Sequence, residues 1–168
     1  MGMHTKELAY LTEGTSVVYP GQGIGVISSI TQQHIAGHAL DVVVIYFEES
    51  KMNITIPLKK VKDSGMRAIS SGQEIEQAFK VLGLPTKASK LPWVRRHEQY
   101  EEKINSGRVD KLAEALRDLN HELSQTEGSY SKRILYKKAM DRMIQEISLT
   151  KKMTETEALT YLESLLKQ

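Results

Sequence analysis

The hydrophobic period changes once along this chain, near residue 68, and that change restricts the fold more than any other feature. Before it, β-branched and aromatic residues run in short blocks punctuated by Gly, Pro, Asn and Asp. After it, apolar residues recur at helical spacings. A block of strands followed by a block of helices predicts an α+β chain, with a β-domain over 1–68 and an all-α helical bundle over 69–168. In the first block, Ser16–Tyr19 is stopped by Pro20-Gly21, and residues 24–31 form a second strand with Gly25 inside it. Ala36-Gly37-His38 marks a hairpin turn. Residues 41–47 are unbroken Val, Ile and aromatic after Asp41, which predicts a central strand covered on both faces. Residues 53–56 alternate until Pro57 ends the pairing. Four such strands predict a small, strongly bent sheet or barrel.

The second block is helical throughout. Residues 71–82 form a helix that Gly83 and Pro85 end, and 84–91 read as a basic linker. Pro92 suits the first turn of a helix reaching 104, which Ser106-Gly107 stops. Val109, Leu112, Leu116, Leu119 and Leu123 then line one helical face, and Tyr136, Met140, Met143 and Ile147 line another. Thr154 with Glu157 makes a capping box for a last helix that buries Ala158, Leu162 and Leu165. Short gaps between these helices favour an antiparallel bundle.

Composition removes several functions. With no cysteine among 168 residues, a disulfide scaffold, a cysteine zinc finger, an iron–sulfur cluster and a thiol nucleophile are excluded. No apolar run reaches the roughly 20 residues of a membrane span, and the N-terminal segment lacks the pattern of a secretory signal. His34 and His38 have a zinc-like spacing but straddle the hairpin turn, so they read as solvent histidines. Gly21-Gln22-Gly23-Ile24-Gly25 is followed by a strand rather than a helix, so it cannot cradle a pyrophosphate. Its glycines instead serve a tight turn and close backbone packing. No paired carboxylates and no Ser/His/Asp set stand out; an enzyme is not expected, nor a cofactor or metal.

Net charge is only +2, and residues 1–68 balance six bases against six acids. The bases cluster later. Lys87, Lys90, Arg95 and Arg96 stand in a stretch without acids, and Lys132, Arg133, Lys137, Lys138 and Arg142 crowd around Asp141. The first cluster holds the sole tryptophan, in Lys90-Leu91-Pro92-Trp93-Val94-Arg95-Arg96. Two readings fit it. Trp93, His97, Tyr100 and Ile104 share a helical face, so the indole can be core. Alternatively, an indole at a helix start wedges beside a base step while Arg95 and Arg96 hold phosphates.

These motifs together resemble the CarD/CdnL family of bacterial transcription regulators. The resemblance rests on Val17-Val18-Tyr19-Pro20-Gly21-Gln22-Gly23-Ile24-Gly25-Val26, on Ile54-Thr55-Ile56-Pro57, on Met66-Arg67, and on Trp93-Val94-Arg95-Arg96. It continues through Leu112-Ala113-Glu114-Ala115-Leu116-Arg117-Asp118-Leu119 and spans the chain from about Glu13 to the last helix. It implies a Tudor-like β-domain that binds the RNA polymerase β subunit, with Gln33, Ile35, Ile54, Thr55, Ile56 and Pro57 at the contact. It implies a helical domain that meets promoter DNA at the upstream edge of the melted region. There Trp93 would enter the minor groove, largely without regard to sequence. Lys90, Arg95 and Arg96 would accompany it, and Lys132 and Arg133 would give a second contact. Some members carry arginines where this chain has Gln33 and Thr55, and a lysine where it has Glu98. The implied activity is stabilisation of the open promoter complex by a cytoplasmic, stand-alone monomer brought to the nucleoid by polymerase, with no membrane involved. The rival reading is a protein–protein adaptor whose helical domain binds a protein rather than DNA.

Overall fold

The computed structural model describes residues 8–87, 89–125 and 128–167. The chain divides into two compact units, Met1–Ala68 and Ile69–Gln168. Among its described residues the first holds five strands: β1 (Ser16–Tyr19), β2 (Gly23–Ile35), β3 (His38–Phe47), β4 (Met52–Pro57) and β5 (Arg67–Ala68). They form one sheet in the order β4-β3-β2-β1-β5, with every neighbouring pair antiparallel. β3 lies inside the sheet, and its Val42, Val43, Ile45 and Phe47 are buried, as an unbroken apolar run requires.

Two features exceed the sequence expectation. β2 and β3 run on to Ile35 and back from His38, because the turn Ala36-Gly37 has φ of 52° and 80°. Two residues in the left-handed region make a type I′ turn, whose twist lets the ladder continue to the tip. The fifth strand, β5, pairs with β1 through Val17↔Ala68 and Val18↔Arg67. So short a strand has no period of its own and exists only through that distant partner. The bend comes from a bulge at Ser28, between the pairs Ile27↔Ile45 and Ser29↔Val44. Gly25 permits a close approach: a Cβ there would stand 2.6 Å from Ile45 Cγ2 and 2.8 Å from Phe47 Cε1. The core under the sheet is Val17, Ile27, Val43, Ile45, Phe47, Ile56, Val61 and Met66. Leu8, Tyr10 and Leu11 pack against it, and Tyr10 Oη donates to the Met66 carbonyl at 3.2 Å.

The second unit holds α1 (Gly72–Leu82), α2 (Trp93–Asn105), α3 (Val109–Gln125), α4 (Tyr130–Lys151) and α5 (Glu155–Leu166). Their starts are set locally. Ser71 Oγ accepts from the Glu74 N–H at 3.2 Å, and Thr154 Oγ1 from the Glu157 N–H at 3.1 Å; each cap contributes about 1 kcal/mol. α3 packs on α1, α2 and α4, and α4 also on α5. The apolar stripes meet in one core that includes Ile104, Leu112, Leu116, Leu119, Met143, Ile147 and Leu162. A buried carboxylate secures the start of this unit: Ser70 N–H and Oγ donate to Glu146 Oε1 at 2.8 and 2.5 Å. No helix among the described residues is long and apolar enough to cross a membrane.

Candidate nucleic-acid interface

Pro92 occupies the N-cap of α2, so Trp93 is the first helical residue and stands at the end of the bundle. The indole is half-buried. It packs against the rim of the helical core and meets His97 edge-on, with ring centroids 5.5 Å apart. Its Nε1–H donates to Ser131 Oγ on α4 at 3.1 Å. The indole is therefore neither sealed in the core nor detached from it. One portion of the ring is anchored, and the rest remains accessible. The Ser131 contact also brings the two basic clusters together, which no sequence signal could establish.

The cations around the ring fall into two sets. Arg96 lies with Cζ 5.3 Å from the Trp93 ring centroid, and Lys132 with Nζ 5.1 Å from it. Such cation–π contacts are worth about 0.5–2 kcal/mol, more as water is excluded. Arg96 is occupied on three sides. Nε and Nη2 donate to Glu122 Oε1 at 3.0 and 2.7 Å, and Nη1 donates to the Leu91 carbonyl at 2.7 Å. Lys132 Nζ stands 3.8 Å from the same carboxylate oxygen. The other oxygen, Oε2, accepts from Tyr100 Oη at 2.7 Å. Burial, and then this hydrogen bond to Glu122, push the Tyr100 phenol well above the ordinary tyrosine range. Two positive charges thus share one negative charge beneath the indole.

The second set faces water. The Arg95 side chain is 69% exposed, against 18% for Arg96 and 12% for Lys132. Arg95 makes one exposed ion pair with Glu98, at 3.2 Å. Lys90 is exposed, and so is Arg133, whose Nε donates to the Gly128 carbonyl at 3.2 Å. Val94 and Tyr130 add exposed apolar surface beside Trp93 and Ser131, Tyr130 being 81% exposed. The six residues expected to serve DNA therefore divide. Trp93, Lys90, Arg95 and Arg133 present surface, whereas Arg96 and Lys132 face inward as braces of the ring. Sequence reasoning did not single out Glu122 or Ser131, on which that division depends. Glu122 did leave a trace: it follows Leu112, Ala115 and Leu119 in step on α3, an acid extending a buried stripe.

In the β unit the register sorts the six residues expected to serve polymerase. Ile54 and Ile56 pair with Ile45 and Val43 and point into the core; Ile56 is 6% exposed. Ile56 is part of that core, and Ile54, partly buried, packs against it. A one-residue step in a strand reverses the face, so Thr55 and Pro57 lie on the other side, opposite Val44 and Val42. Gln33 and Ile35 share that side on β2. β4 is an edge strand, so half of its backbone N–H and C=O groups point away from the sheet.

Two family models match successive parts of the chain. The CarD-like/TRCF RID domain model matches residues 11–70, and the CarD C-terminal domain model matches residues 77–163. The chain is 25% identical over 142 residues to the putative transcription factor YdeB of Bacillus subtilis (strain 168), covering 84% of this chain and 93% of that protein. It also resembles the solution NMR structure of the 72-residue N-terminal domain of Myxococcus xanthus CarD. That match has 36% identity over 34% of this chain and 77% of that one, with a TM-score of 0.30. The chain belongs to the CarD family, whose members are transcription factors that interact with RNA polymerase.

Proposed function

We propose that this protein binds the RNA polymerase β subunit through its sheet and promoter DNA through the Trp93 end of its helical bundle, and that it stabilises the open promoter complex. The observation that carries this reading is the indole itself: half-buried at a helix start, held by Ser131, and flanked by basic side chains. An aromatic wedge ringed by cations suits a minor groove next to unstacked bases. A ligand that binds only the distorted fork shifts the closed–open equilibrium by its differential affinity. Weak DNA binding is sufficient here, because docking on polymerase raises the effective concentration of the helical unit at the fork. That accounts for a DNA-acting chain of net charge +2. On the sheet, the outer face and edge formed by Gln33, Ile35, Thr55 and Pro57 suit addition of a strand from the β subunit.

The test is Trp93→Ala in a promoter dissociation assay. Pull-down by the β subunit should be unchanged, and open-complex lifetime should fall about tenfold, the effect of losing one base–aromatic contact. An unchanged lifetime with a folded variant would rule the reading out. The exposed Val94, Tyr130 and Ile134 support a second reading, in which the helical unit grips a protein. In that case DNA crosslinking to Trp93 is absent and affinity depends little on salt.

A further inference from the structure

We propose that Glu122 is the positioning residue of the indole site: its carboxylate holds Arg96 and Lys132 over Trp93 and so fixes the pose in which the ring meets unstacked DNA. The second half of this statement rests on the DNA reading above; the first half does not.

The carboxylate divides its oxygens. Oε2 takes the Tyr100 hydroxyl at 2.7 Å, which fixes its rotation. Oε1 takes the two Arg96 donors at 3.0 and 2.7 Å and attracts Lys132 Nζ at 3.8 Å. Both cations then lie just over 5 Å from the indole centroid. Glu122 projects from α3, one turn beyond the fully buried Leu119, so the clamp has a rigid base. Three helices are joined through this group: α2 by Arg96 and Tyr100, α3 by Glu122 itself, α4 by Lys132. An acid on a phosphate-facing surface is otherwise unfavourable, because it repels the ligand. Its place here is explained when its role is to orient cations rather than to meet DNA.

This assigns E122Q an effect opposite in sign to that of simple charge removal. The amide keeps the size of the side chain and one acceptor but loses the ionic hold on Arg96 and Lys132. In the full chain without DNA, the emission of the sole tryptophan and its indole N–H resonance should shift, while circular dichroism stays that of the wild type. Tyr100→Phe, which leaves the carboxylate in place but releases Oε2, should shift the same resonance less, and it serves as the second probe should E122Q fold poorly. Binding of a fork-junction DNA to E122Q should weaken about tenfold although a negative charge has gone. A bystander acid predicts the reverse: equal or tighter binding, with a salt dependence steeper by about one unit. An unmoved indole resonance in both variants overturns the clamp. A moved resonance with fork binding unchanged or tighter overturns its role in posing the ring. Wild-type fork binding by Trp93→Ala overturns the DNA reading instead, and the posing role with it, whatever the resonance does.

Discussion

Arg95 and Arg96 are neighbours in sequence and opposites in structure, and substituting each by alanine separates a surface cation from an internal brace. Arg96 loses two bonds to Glu122 and one to the Leu91 carbonyl. Removing one partner of a fully buried ion pair costs about 3–5 kcal/mol. Here Arg96 and Glu122 keep 18% and 19% of their surface, and Tyr100 and Lys132 still attend the carboxylate. Partial solvation of this kind brings the expected loss to about 2 kcal/mol. For a helical unit of roughly 100 residues, that lowers Tm by about 10 °C. Arg95 has only an exposed pair with Glu98, so Arg95→Ala should cost less than about 0.5 kcal/mol. Trp93 is the sole tryptophan and sits in the helical unit, so its fluorescence follows the melting of that unit alone. In a salt titration of DNA binding, Arg95→Ala should flatten the log–log slope by about 0.7–0.9, the share of one phosphate contact. Arg96→Ala should leave that slope nearly unchanged. Should Arg96→Ala melt with the wild type and flatten the slope as Arg95→Ala does, the inward-facing guanidinium is wrong.

Three further outcomes follow from the same geometry. Thr55→Glu should abolish pull-down by the β subunit with an intact sheet, whereas Ile56→Glu should unfold the β unit by placing a carboxylate in its core; circular dichroism and limited proteolysis separate the two. The Tyr100 phenol is raised in the folded state, by burial and then by Glu122, so its stability contribution is complete below the unfolded pKa of about 10 and declines as pH rises beyond it. Unfolding of the helical unit should accordingly become easier above pH about 10, and Tyr100→Phe should reduce that alkaline decline. Ala36 holds φ of 52° in the β2–β3 turn, so Ala36→Asn should raise the stability of the β unit by about 1 kcal/mol, read as a shift in its denaturant midpoint.

Local rules wrote most of the architecture into the sequence. The punctuation by Pro20-Gly21 and Ala36-Gly37, the cap at Thr154 and the stripe through Leu112, Leu116 and Leu119 each depend on neighbours within a few residues. What escaped depends on distant partners. β5 exists because β1 lies alongside it, and Leu8 and Tyr10 have a place because Met66 folds back to meet them. In β4, alternation was legible, but which parity faces inward was not: the motif Ile54-Thr55-Ile56-Pro57 looks continuous until the pairing with Val43 and Ile45 divides it. At the Trp93 end of the bundle, the indole was conspicuous by type. Whether Arg96 points outward is decided by Glu122, 26 residues on, and whether Lys132 does is decided by the same group.

The seating of Trp93 has a thermodynamic consequence. A freely rotating side chain that must be immobilised on binding forfeits about 0.5–1.5 kcal/mol in rotamer entropy. Here the Ser131 hydroxyl and the two cations restrict the ring before any ligand arrives. That ordering loss is moved from the binding step into folding, where the bundle core absorbs it. The accessible part of the ring is thus preorganised, so a partner that meets it finds its pose already set.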